Sequence, residues 1–179
     1  SGLRVDLAAS NASGLLNSVA SLGAGSSTTL NATVSASGVG TGTFSTNAAL
    51  TFSDASSLLG RSTNLGTTNI QVTGIVYGHA SGSVATNVTL SNVIVGYAGV
   101  VTTNLAVSNA SGFRVGLYTT NASNGAVSLA GVTNVAAGSS SNALLSFATG
   151  QGTGTYTNTL GVVYGDSTNL AGASAAVST

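Results

Sequence analysis

The sequence contains no cysteine, proline, methionine or tryptophan, and it has neither lysine nor glutamate. Each absence excludes a class of chemistry. Without cysteine no disulfide and no thiolate metal site can staple the chain. Without lysine there is no Walker-type phosphate contact and no lysine–asparagine isopeptide cross-link. Charged residues make up 3% of the chain, against about a quarter in an ordinary domain. They are Arg4, Arg61 and Arg114 with Asp6, Asp54 and Asp166, for a net charge of zero. Three arginines cannot neutralise a nucleic-acid backbone, which excludes nucleic acid as a partner. A surface with so little mutual repulsion associates readily and suits an assembled material. The longest apolar run, VIVGYAGVV at 93–101, is far shorter than the roughly 20 residues of a spanning helix. Phe and Tyr are scattered, without the paired girdles of an outer-membrane barrel.

What is present is β-forming. The 179 residues are 42% hydrophobic with a mean hydropathy of +0.43, enough for a core and against plain disorder. Gly, Ser, Thr, Asn and Val dominate, and strong helix formers are scarce. Alternation marks the strands. Leu3, Val5 and Leu7 face one way in LRVDLAA, opposite Arg4 and Asp6. Leu30, Ala32 and Val34 share a face in TTLNATVSA at 28–36, and Ile70, Val72, Ile75 and Tyr77 line TTNIQVTGIVYG at 67–78, with Gly74 as a potential bulge. GVGTG (38–42), GQGTG (150–154) and the Asn124-Gly125 pair are turn signals. Short strands between such signals, about ten residues apart, indicate an all-β antiparallel sandwich or barrel.

The chain also repeats itself. LAASNASG at 7–14 returns as LAVSNASG at 105–112. Residues 25–60 align with 138–172, one residue being dropped near Ser37, so that Gly25 meets Gly138, Phe44 meets Tyr156, and Asp54 meets Asp166. The second copy carries an insertion of about 15 residues around FRVGLYTTNASNGAVSLAG. A period near 100 residues is domain-sized and predicts two tandem sandwiches, 1–82 and 83–179, rather than solenoid rungs of 20–50 residues.

The copies are cut differently. Unit 2 is introduced by the extended stretch 87–104, which unit 1 lacks, and unit 1 closes with NIQVTGIVYG at 69–78, which unit 2 lacks. Each unit is therefore expected to miss one edge strand, an unfavourable state unless another strand fills the gap. Either the sequence is an out-of-phase excerpt of a longer repeat protein, or neighbouring copies supply the strands. In the second case the donor is expected to be 167–179, entering unit 1, with 2–9 as the reciprocal candidate. The interface residues are then Leu3, Val5, Leu7, Leu170, Ala173, Ala175 and Val177.

Three pieces carry a resemblance to a known family: VTLSNVIVGYAGVVTTNLAVSNASG (88–112), AGSS at 24–27 and 137–140, and the FSD…LLG…IQVTGIVYG sequence between 52 and 78. They resemble the choice-of-anchor D and related β-strand-repeat modules of exported bacterial proteins. The resemblance implies an Ig-like fold, a surface location and a structural or adhesive role, and it supplies no catalytic residues. The lack of Pro, Lys and Glu departs from the family.

Catalytic groups are scarce. His79 is the one imidazole, in a loop after a strand, where a solvated surface role is the default. No G-x-S-x-G elbow is present, and one His with three distant Asp residues gives no triad. Asp54 and Asp166, at equivalent repeat positions, read as turn caps, and calcium usually needs more carboxylates than these with Asp6 provide. Asn-x-Ser/Thr occurs at Asn11, Asn31, Asn87, Asn109 and Asn121, so glycan modification is open to an exported chain, with unmodified surface Asn as the default. The chain opens on Ser, as a trimmed mature protein would. The expectation is a non-enzymatic, cofactor-free extracellular subunit that polymerises head to tail by β-strand complementation. The alternative is an adhesin or stalk fragment that binds a glycan or a host surface.

Overall fold

The computed structural model describes residues 4–35 and 37–177. Among them there is no helix, and every strand pairing within the sheets is antiparallel. The protein is all-β. It divides into two compact units, Ser1–Val76 and Tyr77–Thr179.

Unit 1 holds β1 (Leu7–Asn11), β2 (Val19–Leu22), β3 (Gly42–Asp54) and β4 (Gly66–Val76) in the order β2-β1-β3-β4. The β3–β4 ladder runs unbroken from Gly42↔Val76 to Phe52↔Gly66, so Gly74 is not a bulge. It lies opposite Phe44, and a Cβ there would enter the phenyl ring, so the glycine makes room for the aromatic. The buried apolar residues are few: Ala9, Leu16, Ala48 and Leu50. The strand expected over 28–36 does not form among its described residues, 28–35. That stretch has only an isolated bridge, Ala32↔Leu16, with Thr33 N–H donating to Leu15 O and Asn17 N–H to Asn31 O. Alternation alone does not make a strand where no neighbour completes the ladder.

Unit 2 is better filled. Its strands are β5 (Gly82–Val84), β6 (Val100–Asn109), β7 (Leu117–Thr119), β8 (Ala122–Asn124), β9 (Val127–Leu129), β10 (Ser140–Ala148) and β11 (Tyr164–Asp166). They form a five-stranded sheet, β5-β6-β10-β9-β8, and a two-stranded sheet, β11-β7. Both sheets feed one core. Val107, Leu129, Ala143 and Leu145 from the first pack with Leu117 and Tyr164 from the second, the sandwich-like arrangement in which facing sheets bury their inner sides. The β8–β9 hairpin turns at Gly125-Ala126, one residue later than the Asn-Gly signal centres it. Gly125 has φ +60° and Asn124 pairs with Val127, as a two-residue turn with glycine at its first central position requires. Of the stretch expected to be extended, 87–104, residues 87–99 form no strand, and the last five open β6, which begins at Val100.

The inserted segment explains the difference between the units. It supplies β7, β8 and β9, and with them Leu117 and Leu129, two of the largest fully buried side chains. Unit 1 has no such segment and a correspondingly thin interior.

Candidate functional site

The stretches 52–65 and 164–177 carry the same hydrogen bonds at the same spacing. Leu65 N–H donates to Phe52 O at 2.7 Å, and Val177 N–H donates to Tyr164 O at 2.8 Å. The amides of Asp54 and Asp166 donate to the carbonyls of Ser62 and Ser174 at 2.9 and 2.8 Å. The Ser62 and Ser174 amides donate back to the two carboxylates at 2.8 and 2.9 Å. Inside each loop the Leu58 and Leu170 amides donate to the hydroxyls of Ser56 and Thr168. The Ser62 and Ser174 hydroxyls donate to the carbonyls of Asn64 and Ala176. Gly60 and Gly172, at φ +81° and +90°, let both loops turn where a side chain would be strained. Each carboxylate reaches eight residues along the chain, well beyond a local Asx turn. Each loop also projects an exposed leucine, Leu58 or Leu170.

The two loops differ in what else their aspartates hold. Asp54 is half-buried and caps only its loop. The Asp166 side chain is 1% exposed and takes two further donors, the Ala80 amide at 2.8 Å and His79 Nδ1 at 2.6 Å. Arg114 Nη1 donates to His79 O at 2.9 Å and completes the cluster. Burial pushes the Asp166 pKa up, but the hydrogen bonds from His79, Ala80 and Ser174, with the charge of His79, outweigh it and hold the carboxyl below its usual 3.8. With Asp166 ionised, the carboxylate accepts and Nδ1 carries the proton of this hydrogen bond. The imidazole is largely exposed, as expected, but it is anchored rather than simply solvated. Sequence spacing could not indicate this pairing, because 87 residues separate the two.

A His–Asp pair orients an imidazole, yet among the described residues no side chain hydrogen-bonds Nε2 and no group of three or more His, Asp or Glu residues stands ready for a metal. No buried side-chain nitrogen or oxygen lacks a partner there. The cluster joins the chain entering unit 2 at 79–80, strand β11 and the returning tail at Ser174. These contacts clasp the three segments together.

Asn109 is a second internal fastening. Its Nδ2 donates to Val115 O and Val135 O, each at 3.0 Å, and its Oδ1 accepts from Ser81 N–H at 3.1 Å. It is 2% exposed, so it is not the surface asparagine expected of a sequon, and the folded chain offers no room for a glycan on it.

The expected interface residues are distributed unevenly. Leu3 lies outside the described residues. Val5 is exposed. Leu7 sits in β1, already paired with Leu22 and Asp54. Leu170, Ala173 and Ala175 are exposed, and Ala175 O accepts from Tyr118 Oη at 3.1 Å. Val177 is half-buried, bridges Tyr164 and packs on the core of unit 2. Among the described residues the long open edges lie elsewhere. β4 pairs only with β3, as the shorter edge strands β2 and β8 pair only with β1 and β9. The Val100–Ala106 part of β6 is also uncovered on one side, since β5 covers only Val107–Asn109. Comparison with protein-family models, curated proteins and solved structures found no match to this chain.

Proposed function

We propose that the chain is a non-enzymatic extracellular structural subunit, built from Ig-like units of the β-strand-repeat kind, that joins copies of itself head to tail by adding strands to open sheet edges. The observation that carries this reading is β4. It is an eleven-residue edge strand, GTTNIQVTGIV, with no charge, no proline and an unbroken register. Soluble β proteins blunt such edges with lysines, prolines or bulges, because free N–H and C=O groups recruit another strand. None of those devices is used here. Neutrality of the whole chain removes the remaining obstacle to close approach.

The test is negative-stain microscopy with sedimentation velocity on the purified chain, with Ile75→Lys as the control. Ile75 is 49% exposed on β4, so a lysine there charges the edge without touching the interior. Filaments or long oligomers from the wild type, reduced to monomers by Ile75→Lys at unchanged melting temperature, support the reading. A wild-type chain that stays monomeric at milligram concentrations overturns it and leaves the adhesin or stalk alternative.

A further inference from the structure

The chain enters unit 2 and comes back out of its core at the same side chain. On the entry side, His79 Nδ1 and the Ala80 amide meet the two oxygens of the Asp166 carboxylate at 2.6 and 2.8 Å. On the return side, the Ser174 amide donates to that carboxylate at 2.9 Å, and the Ser174 carbonyl accepts from the Asp166 amide at 2.8 Å. The residues that fill unit 2, among them Leu105, Val107, Leu117, Leu129 and Leu145, all lie between these two points of the chain.

Tension along a chain follows its shortest bonded path. From residues 79–80 that path crosses the carboxylate to Ser174 and bypasses 81–173, so this stretch cannot lengthen until the bonds on one side of Asp166 break. Each side has a second support. Gly78 N–H donates to Phe113 O at 2.8 Å and Gly78 O accepts from Val115 N–H at 3.1 Å, the two bonds of a parallel bridge to Arg114. Arg114 Nη1 holds the next carbonyl, His79 O, at 2.9 Å. On the return side Val177 N–H donates to Tyr164 O at 2.8 Å, and Tyr118 Oη donates to Ala175 O at 3.1 Å.

Hydrogen bonds to a carboxylate are stronger than those between neutral groups. The Asp166 side chain is 1% exposed, so water does not stand ready to replace a stretched bond, and the low local dielectric strengthens the bonds that are made. The counterpart in unit 1 is not placed in this way. Among the described residues the entry to unit 1 does not touch the Asp54 carboxylate, and Asp6 O accepts the Ala55 amide instead.

We infer that the Asp166 carboxylate is a tension clamp, carrying a pull on the chain across unit 2 and setting how long that unit survives under force. Forced unfolding is governed by the unfolding rate and not by the equilibrium free energy. Only interactions that break on the way to the transition state slow that rate. The core sets the equilibrium stability of unit 2, and the clamp sets its resistance to pulling. The inference concerns a single chain and stands whether or not copies polymerise.

The experiment holds the full chain by tags fused to its two ends in constant-force tweezers and records the lifetime of each unit. Unit 2 is the longer of the two and is recognised by the greater length it releases, at about 3.5 Å per residue. Unit 1 serves as the internal standard in every trace. His79→Ala, at a ring that is 60% exposed, should shorten the unit 2 lifetime by about tenfold or more through the loss of one charge-assisted bond, and Asp166→Ala should shorten it further. Leu129→Ala, in the bypassed core, should lower the urea midpoint more than His79→Ala does and shorten the lifetime under force less. An unchanged unit 2 lifetime in His79→Ala overturns the inference. So do lifetimes that follow urea stability, with Leu129→Ala shorter-lived than His79→Ala.

Discussion

His79 Nδ1 meets the buried carboxylate of Asp166 at 2.6 Å, and the same carboxylate accepts the amides of Ala80 and Ser174. One side chain thus fastens the entry to unit 2, strand β11 and the tail. Its counterpart Asp54 fastens only its own loop. Asp166→Ala leaves the buried Ala80 amide without a partner and opens the tail, and it should cost about 2–4 kcal/mol, since each buried donor left unsatisfied costs about 1–3. Asp54→Ala, at a half-buried site, should cost about 1 kcal/mol. Urea denaturation of both variants checks the ranking, and equal losses would refute the clasp.

The same clasp sets an acid limit. A carboxylate whose folded pKa lies below its unfolded value binds protons more weakly in the native state. It therefore contributes stability above the unfolded value of about 3.8 and loses it as pH falls through the lower folded value. Unfolding free energy should drop as the solution is acidified below about pH 4. Asp166→Asn should remove the part due to this group, read as a shallower slope in a pH series of denaturation curves.

Asn109 should behave as a fastening and not as a modification site. Asn109→Ala removes one acceptor and two donors from a position that is 2% exposed. Losing them should destabilise by about 2–4 kcal/mol. The equivalent Asn11 donates to Ala49 O and accepts from Ser13 Oγ, so Asn11→Ala should cost less. Thermal denaturation of the two variants tests this order. Mass spectrometry of the chain secreted from a glycosylating host should find Asn109 unoccupied.

Leucines should divide sharply by position. Leu117 is fully buried between the two sheets of unit 2, and Leu117→Ala should cost about 2–5 kcal/mol through lost contact and the cavity left behind. Leu59, at the tip of the Asp54 loop, is fully exposed, so Leu59→Ala should change folding stability by less than about 0.5 kcal/mol. A large effect of Leu59→Ala would mean that this leucine is covered in solution, for which self-association is the direct check.

Much of the fold was legible in the residues. Alternation placed β4 and the start of β1, the Asn124-Gly125 signal located a hairpin, and the repeated Asp54 and Asp166 marked two loops of one kind. The misreadings share a cause. STTLNATVS at 27–35 alternates as well as its counterpart SSNALLSFA at 140–148, yet only the second is a strand, β10, because only there do β6 and β9 lie alongside. His79 read as a solvated loop residue because its partner lies 87 positions away.

Composition and periodicity decided that this chain builds antiparallel sheets, because backbone propensity and the two-residue alternation of side chains are local properties. Which runs become strands, which carboxylate holds the imidazole and which edges stay open were decided only in three dimensions. Each depends on a neighbour supplied by distant residues, and a ladder exists only when both of its sides are present.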